Sequence, residues 1–123
     1  MMLHHFYHGK VIHGLKNGGK FGFPTANILL DDSAHIDKGV YAVKMCVENG
    51  KYGGMLYVGT RPTLNLSGIS VEINIFDFDD DIYGKNISFE IVKKIRGERK
   101  FVSIEELIAQ MEKDKETALQ YVS

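Results

Sequence analysis

The chain has 123 residues, of which 44% are hydrophobic and 25% charged, and its formal net charge is −1. This length and composition predict one globular domain, 1–123, with a core that needs no disulfide bonds. The balanced charge excludes the broad basic surface that binds nucleic acids or anionic membranes, so neither is expected as a partner. Cys46 is the sole cysteine and no leader or membrane-spanning run is visible, which favours a cytoplasmic setting.

A glycine-rich segment, 14–22, leads into the run Gly22-Phe23-Pro24-Thr25-Ala26-Asn27. Glycines let backbone N–H groups approach an anion closely, a threonine hydroxyl suits Mg²⁺, and an asparagine amide can orient a phosphate. These residue types favour phosphoryl transfer. Residues 14–20 fit most of the phosphate-loop pattern G-x-x-x-x-G-K-[ST], but Phe21 replaces its hydroxyl residue and the required helix start is missing. A phosphate would therefore bind with another geometry, and a surface loop without a ligand is the alternative.

Alternating apolar residues predict strands through the middle of the chain. Residues 39–48 alternate, Asn49-Gly50 is a strong hairpin signal, and 51–59 form the partner strand. Residues 69–76 alternate in the same way, with Ile73 on one face and Glu72 on the other. Residues 87–91 carry a further apolar face.

The end of the chain has a different pattern. Ser103-Ile104-Glu105-Glu106 is a capping box, and apolar residues recur near helical spacing as far as Val122. About six antiparallel strands therefore precede one amphipathic helix. A small strand set of this kind closes into a barrel, which removes exposed strand edges. The predicted fold class is mainly β, a barrel with a C-terminal α-helix.

Glu72 is the acid of most interest because it lies on a predicted strand, on the face opposite the apolar residues. A solvated outward carboxylate is the simpler interpretation, and a rigidly held general base is the functional one. Asp79-Asp80-Asp81 is interpreted as part of a turn, since the spacing of a calcium loop is not met. Arg61 suits either a phosphate or a loop carbonyl, and the basic run 93–100 either a solvated face or the border of a ligand.

Together these segments resemble the riboflavin kinase (flavokinase) family, the kinase module of bacterial FAD synthetases. The resemblance covers nearly the whole chain, in order. It is carried by Gly9-Lys10-Val11-Ile12-His13-Gly14, Gly22-Phe23-Pro24-Thr25-Ala26-Asn27, Gly39-Val40-Tyr41-Ala42-Val43, Val58-Gly59-Thr60-Arg61-Pro62-Thr63, Val71-Glu72-Ile73, Tyr83-Gly84-Lys85, Ile95-Arg96 and the Phe101 region. It implies a six-stranded antiparallel Greek-key barrel with a C-terminal helix, in agreement with the pattern above.

The resemblance also implies a reaction, the Mg²⁺-dependent transfer of the ATP γ-phosphate to the ribityl 5′-hydroxyl of riboflavin, giving FMN and ADP. Glu72 matches the family's catalytic base, and Thr25 and Asn27 would contact Mg²⁺. Arg96 and Phe101 would border the isoalloxazine ring. The residues that would bind nucleotide are Gly14, Lys20, Gly22, Pro24, Thr25 and Asn27.

Two positions depart from the family's pattern, and both affect local loop shape rather than the reaction. Asp37-Lys38 stands where a proline is common, and Tyr57 where asparagine is often found. The length leaves no room for an FMN adenylyltransferase domain, which would belong to a longer protein. One alternative is a flavin- or nucleotide-binding barrel without turnover, which would not need Glu72. The other is an oligonucleotide-binding barrel, which the balanced charge disfavours.

Overall fold

The computed structural model describes residues 6–12, 25–31, 35–60, 69–78 and 81–122. These ranges contain six strands and one helix: β1 Phe6–Ile12, β2 Ala26–Leu30, β3 Gly39–Val47, β4 Gly50–Thr60, β5 Ile69–Ile75, β6 Asn86–Arg96 and α1 Ile104–Val122. The sheet closes into a barrel in the order β1-β2-β5-β4-β3-β6, with antiparallel neighbours throughout. Strands β3 to β5 form a meander and β6 returns beside β3, as in a Greek key. The predicted fold class is confirmed.

The interior of the barrel is filled by one face of each strand, because alternate side chains of a strand point to opposite sides. Phe89 and Ile73 are fully buried there, and Phe89 stacks on Tyr7 with ring centroids 5.3 Å apart. The hydroxyl of Tyr41 donates a hydrogen bond to the carbonyl of Asp37, and burial, with Asp37 nearby, raises the pKa of Tyr41. The buried members of this cluster are Val11, Ile28, Tyr41, Val43, Met45, Val47, Leu56, Val58, Ile73, Ile82, Ile87 and Phe89.

Helix α1 covers part of the outer wall, over β3, β4 and β6. A second apolar cluster fills this interface and consists of Val40, Ala42, Met55, Phe76 and Ala118, with Tyr57, Ile95, Leu119 and Val122 partly buried around it. The end of the helix lies directly on β4, since a Cβ at Gly53 would lie 2.7 Å from a methyl group of Val122. Among the described residues, no helix has the length and apolarity needed to cross a bilayer.

The hairpin between β3 and β4 turns one residue earlier than the sequence pattern predicted. Val47 pairs with Gly50, so Glu48 and Asn49 form the turn, and Glu48 takes the positive φ of 54°. Gly50 is instead the first residue of β4, where a Cβ would lie 2.7 Å from the ring of Tyr52. A larger residue at this position would force the Tyr52 ring to shift.

The N-terminus of α1 is capped as the sequence pattern predicted. The backbone N–H of Glu106 donates to Ser103 Oγ at 3.1 Å, which satisfies one of the unpaired donors of the first turn. The Glu106 carboxylate accepts from Arg99 at 2.9 Å. The helix start is thus joined to the segment that precedes it.

Candidate active site

Five of the predicted site residues fall within the described ranges: Thr25, Asn27, Glu72, Arg96 and Phe101. The remaining predicted nucleotide contacts, Gly14, Lys20, Gly22 and Pro24, lie outside the described residues. Arg61, Asp79 and Asp80 also lie outside them.

Glu72 lies on the outer face of β5 and is half-buried. Ile73 is fully buried inside the barrel and Val71 packs against the same interior cluster. The intervening side chains of Glu72 and Asn74 therefore face outward, as the alternation predicted. A carboxylate on a strand in the middle of a closed sheet is held by a rigid backbone, which suits a group that must be accurately positioned.

Strand pairing brings Thr25 and Asn27 to this carboxylate. Asn27 on β2 is the direct cross-strand partner of Glu72 on β5. The hydroxyl of Thr25 donates a hydrogen bond to Glu72 Oε1 at 3.1 Å, joining residues 47 positions apart. Three residues that the sequence predicted for one site therefore lie together on the outer wall.

The same pairing continues across the wall toward the predicted flavin side. Glu72 pairs with Tyr57 on β4, Tyr57 pairs with Val40 on β3, and Val40 pairs with Arg96 on β6. At about 4.8 Å per strand step, the backbones of Glu72 and Arg96 are roughly 14 Å apart along the wall. Tyr57, which sequence reasoning noted only as a departure from the family, lies directly beside the carboxylate. The alternation of β4 could have assigned Tyr57 to the outer face, but not to the neighbourhood of Glu72.

Arg96 is held by a buried acid on the helix. Its Nε donates to both carboxylate oxygens of Asp114 at 3.0 and 3.1 Å, and a terminal guanidinium nitrogen lies 2.8 Å from Asp114 Oδ2. The side chain of Asp114 is 2% exposed and also accepts from Gln110 at 2.9 Å. This charged network ties α1 to the end of β6, a role for Arg96 that the sequence did not predict.

Phe101 lies close to this network. Its ring centroid is 5.7 Å from the guanidinium carbon of Arg96 and 4.9 Å from that of Arg99, within the range of cation–π attraction. Arg99 in turn donates to Gln110 and Glu106 at 2.9 Å. The segment between β6 and α1 is therefore fixed to the helix by several charged contacts, and it holds a half-buried aromatic ring.

The donor set around Glu72 fits a hard divalent cation. The threonine hydroxyl, the asparagine amide and the carboxylate are oxygen ligands of the kind that Mg²⁺ prefers, and Mg²⁺ usually takes only one or two protein ligands besides phosphates and water. Within the described part of the chain, no group of three or more His, Cys, Asp or Glu residues forms a metal cluster.

A cavity of about 940 Å³ lies on another part of the wall, across β2, β1, β6 and β3. It is lined by residues such as His8, Lys10 and Cys46. None of the five described site residues lines it. The cross-strand contacts of Glu72, by contrast, join a carboxylate, a hydroxyl and an amide.

Comparison with known proteins identifies a family and several relatives. Residues 1–122 match the family model described as Flavokinase: Riboflavin kinase. A bifunctional riboflavin kinase/FMN adenylyltransferase of Bacillus subtilis is 46% identical over 123 residues, which covers 97% of this chain and 39% of that protein. The chain thus spans about two fifths of the length of this curated relative.

Two solved structures also resemble the chain. A Streptococcus pneumoniae structure named as a macrolide-efflux protein is 35% identical with a TM-score of 0.82, over 92% of this chain and 38% of that one. A riboflavin kinase from Trypanosoma brucei is 24% identical with a TM-score of 0.65, over 94% of this chain and 77% of that one, and supports the fold alone. On the match over residues 1–122, this chain belongs to the riboflavin kinase family.

Proposed function

We propose that this domain transfers the γ-phosphoryl group of ATP to the ribityl 5′-hydroxyl of riboflavin, giving FMN and ADP. The observation that carries the proposal is the hydrogen bond from Thr25 to Glu72, beside the cross-strand pair of Glu72 and Asn27. It joins a carboxylate, a hydroxyl and an amide on one rigid part of the wall. Family membership supports the same reaction.

Glu72 is the general base in this proposal. Phosphoryl transfer passes through a loose transition state, so the protein mainly positions groups and stabilises charge. As the new bond forms between the 5′-oxygen and the γ-phosphorus, the bond to the β-bridging oxygen breaks and ADP leaves. The proton of the 5′-hydroxyl passes to the Glu72 carboxylate. The half-buried position of Glu72 leaves it accessible to a substrate while its strand holds it in place.

Thr25 serves two partners at once. Its hydroxyl proton is directed to Glu72, and the lone pairs of its oxygen remain available to a cation. With Asn27 it would hold Mg²⁺, which when bound neutralises charge on the nucleotide phosphates. The residues expected to complete the nucleotide site are Gly14, Lys20, Gly22 and Pro24.

Arg96 and Phe101 border the isoalloxazine ring in this proposal. Phe101 offers an aromatic face for stacking, and the guanidinium of Arg96 lies beside it. Because Asp114 already neutralises Arg96, the guanidinium adds no net charge beside the Phe101 ring, which suits a neutral flavin ring. In a longer protein we expect an FMN adenylyltransferase domain to accompany this one, as in the Bacillus subtilis relative's name.

The test is direct. Purified protein is incubated with riboflavin, ATP and Mg²⁺, and the flavins are separated by chromatography. We expect FMN without FAD, and no FMN when Mg²⁺ is replaced by a chelator. Riboflavin binding without FMN would contradict the kinase and favour a binding barrel, and an absence of both binding and product would contradict the site itself.

A further inference from the structure

Ser70 carries a buried hydroxyl that the reaction described above does not use. Its Oγ is shielded from solvent and has no hydrogen-bond partner among the described residues. A buried hydroxyl without a hydrogen-bond partner destabilises the protein compared with a satisfied one. Ser70 lies two residues before Glu72 on β5, so both side chains are on the outer face, about 7 Å apart along the strand.

Tyr57 lies next to this hydroxyl. Ser70 pairs directly with Gly59 on β4, as Glu72 pairs with Tyr57. A Cβ at Gly59 would lie only 2.5 Å from the ring and the hydroxyl oxygen of Tyr57. The tyrosine ring therefore lies flat along β4 over Gly59, in the space beside Ser70, and it is only partly buried.

We propose that Ser70 and Tyr57 form a subsite for the hydroxylated ribityl chain of the flavin, opened when the tyrosine ring moves off Gly59. This inference rests on the proposed function. The reactive 5′-hydroxyl lies at Glu72, and the inner hydroxyls of the chain extend along β5 to Ser70 Oγ and across to the phenol of Tyr57.

The chemistry of the pair selects a polyol rather than an anion or an apolar group. A serine hydroxyl and a tyrosine hydroxyl are each both donor and acceptor, which matches the hydroxyls of a sugar alcohol. Cationic side chains are absent from the described residues of β5 and from Tyr57 to Thr60 on β4, so these strand residues offer a phosphate no charged partner. Binding of a hydroxylated chain also removes the cost of the unpaired serine.

Ser70→Ala in the full 123-residue chain tests this inference, with riboflavin and lumiflavin as probes. Lumiflavin has the same ring system but a methyl group in place of the ribityl chain. Fluorescence titration gives the Kd of each. We expect Ser70→Ala to weaken riboflavin roughly tenfold and to leave lumiflavin unchanged, because only riboflavin reaches the serine. Tyr57→Phe should weaken riboflavin by a smaller factor in the same selective way.

The thermal midpoint of the unliganded protein separates this role from a structural one. Removing an unpaired buried hydroxyl should leave the Tm of Ser70→Ala unchanged or raise it, whereas loss of a structural contact would lower it. Ser88→Ala on β6 and Tyr121→Phe on α1 are matched controls, and both should bind the two flavins like the parent protein.

If the parent protein forms FMN, two results would overturn the inference while the proposed function stands. The first is a riboflavin Kd for Ser70→Ala within twofold of the parental value. The second is an equal rise in the Kd values of riboflavin and lumiflavin. A parent protein that binds neither flavin would overturn the inference and the proposed function together.

Discussion

Two acids on the same side of the barrel wall, Glu72 and Asp114, have opposite surroundings. Asp114 is 2% exposed and receives short bonds from Arg96 and Gln110. Glu72 is half-buried and accepts from Thr25 at 3.1 Å. The enclosed acid is fully occupied in joining the helix to the barrel, while the accessible one can still meet a substrate. The difference fits a structural role for Asp114 and the proposed catalytic role for Glu72.

The largest expected effect concerns the accessible acid. Glu72→Gln should lower kcat by roughly 10²–10⁴-fold, the usual range for a lost acid–base group, with little change in the free energy of unfolding. Steady-state FMN formation gives the rate. Glu112→Gln, an exposed glutamate on α1, is the matched control and should keep the parental rate. If the kcat of Glu72→Gln were within threefold of the parental value, Glu72 would not be the general base, and Glu72 and Asp114 would not differ in function as proposed.

Loss of the partner of Asp114, the enclosed acid, should affect stability more than catalysis. Arg96→Met leaves Asp114 buried without its cation, which should lower the free energy of unfolding by about 3 kcal/mol. Urea denaturation measures this loss. Arg99→Met, with 51% of its side chain exposed, should cost less than about 1 kcal/mol. The double variant Arg96→Met/Asp114→Leu should recover most of the stability, because no unpaired charge is then buried. If the single and double variants were equally unstable, the ion pair would not be what holds the helix.

Thr25→Val tests the proposed metal ligand beside Glu72. Loss of the hydroxyl should weaken the apparent affinity for Mg²⁺-ATP roughly tenfold, because one oxygen ligand and one hydrogen bond to Glu72 are lost together. The unfolding free energy should stay close to the parental value. Titration of initial rates against Mg²⁺ and ATP measures the effect, and Thr25→Ser, which keeps the hydroxyl, should restore most of the affinity. An unchanged Mg²⁺ dependence of Thr25→Val would count against Thr25 as a ligand.

The smallest effect is expected at the helix cap. Ser103→Ala removes the oxygen that accepts from the Glu106 N–H and should lower the unfolding free energy by about 1 kcal/mol. The kcat for FMN formation should remain parental, since the cap contacts none of the groups at Glu72. Ser103→Asp keeps an acceptor at the same position and should retain the stability. A marked loss of kcat in Ser103→Ala would show that the helix start takes part in the reaction.

Much of this molecule could be predicted from local patterns. Alternation in 69–76 assigned Ile73 to the interior and Glu72 to the outer face, because side chains of a strand alternate whatever its neighbours are. The capping box predicted the start of α1, because the cap contacts are made within one turn of the chain. The resemblance to a known family supplied the roles of the site residues, which remain predictions.

Other features had weaker signals or none. Asp114 interrupts the apolar stripe of α1 between Met111 and Ala118, which was a signal for a buried charge, but its partner could not be read from the helix alone. The turn at Glu48 and Asn49 was missed by one residue, because the turn position follows from the register of β3 against β4, which a dipeptide signal does not contain. Ser70 and Tyr57 were not recognised because each is ordinary in its own strand.

By itself, then, the sequence determined the elements, the faces of the strands and the kind of chemistry that its motifs favour. Beyond the β3–β4 hairpin, only the tertiary structure decided which strands are neighbours. The pairing of β2 with β5 joins Thr25 to Glu72 across 47 positions. The pairing of β6 with β3 places Arg96 in line with Glu72 across the sheet, through Tyr57 and Val40. Local periodicity carries no information on such distant partners. They are chosen by closure of the barrel, which pairs every strand edge and buries one common core.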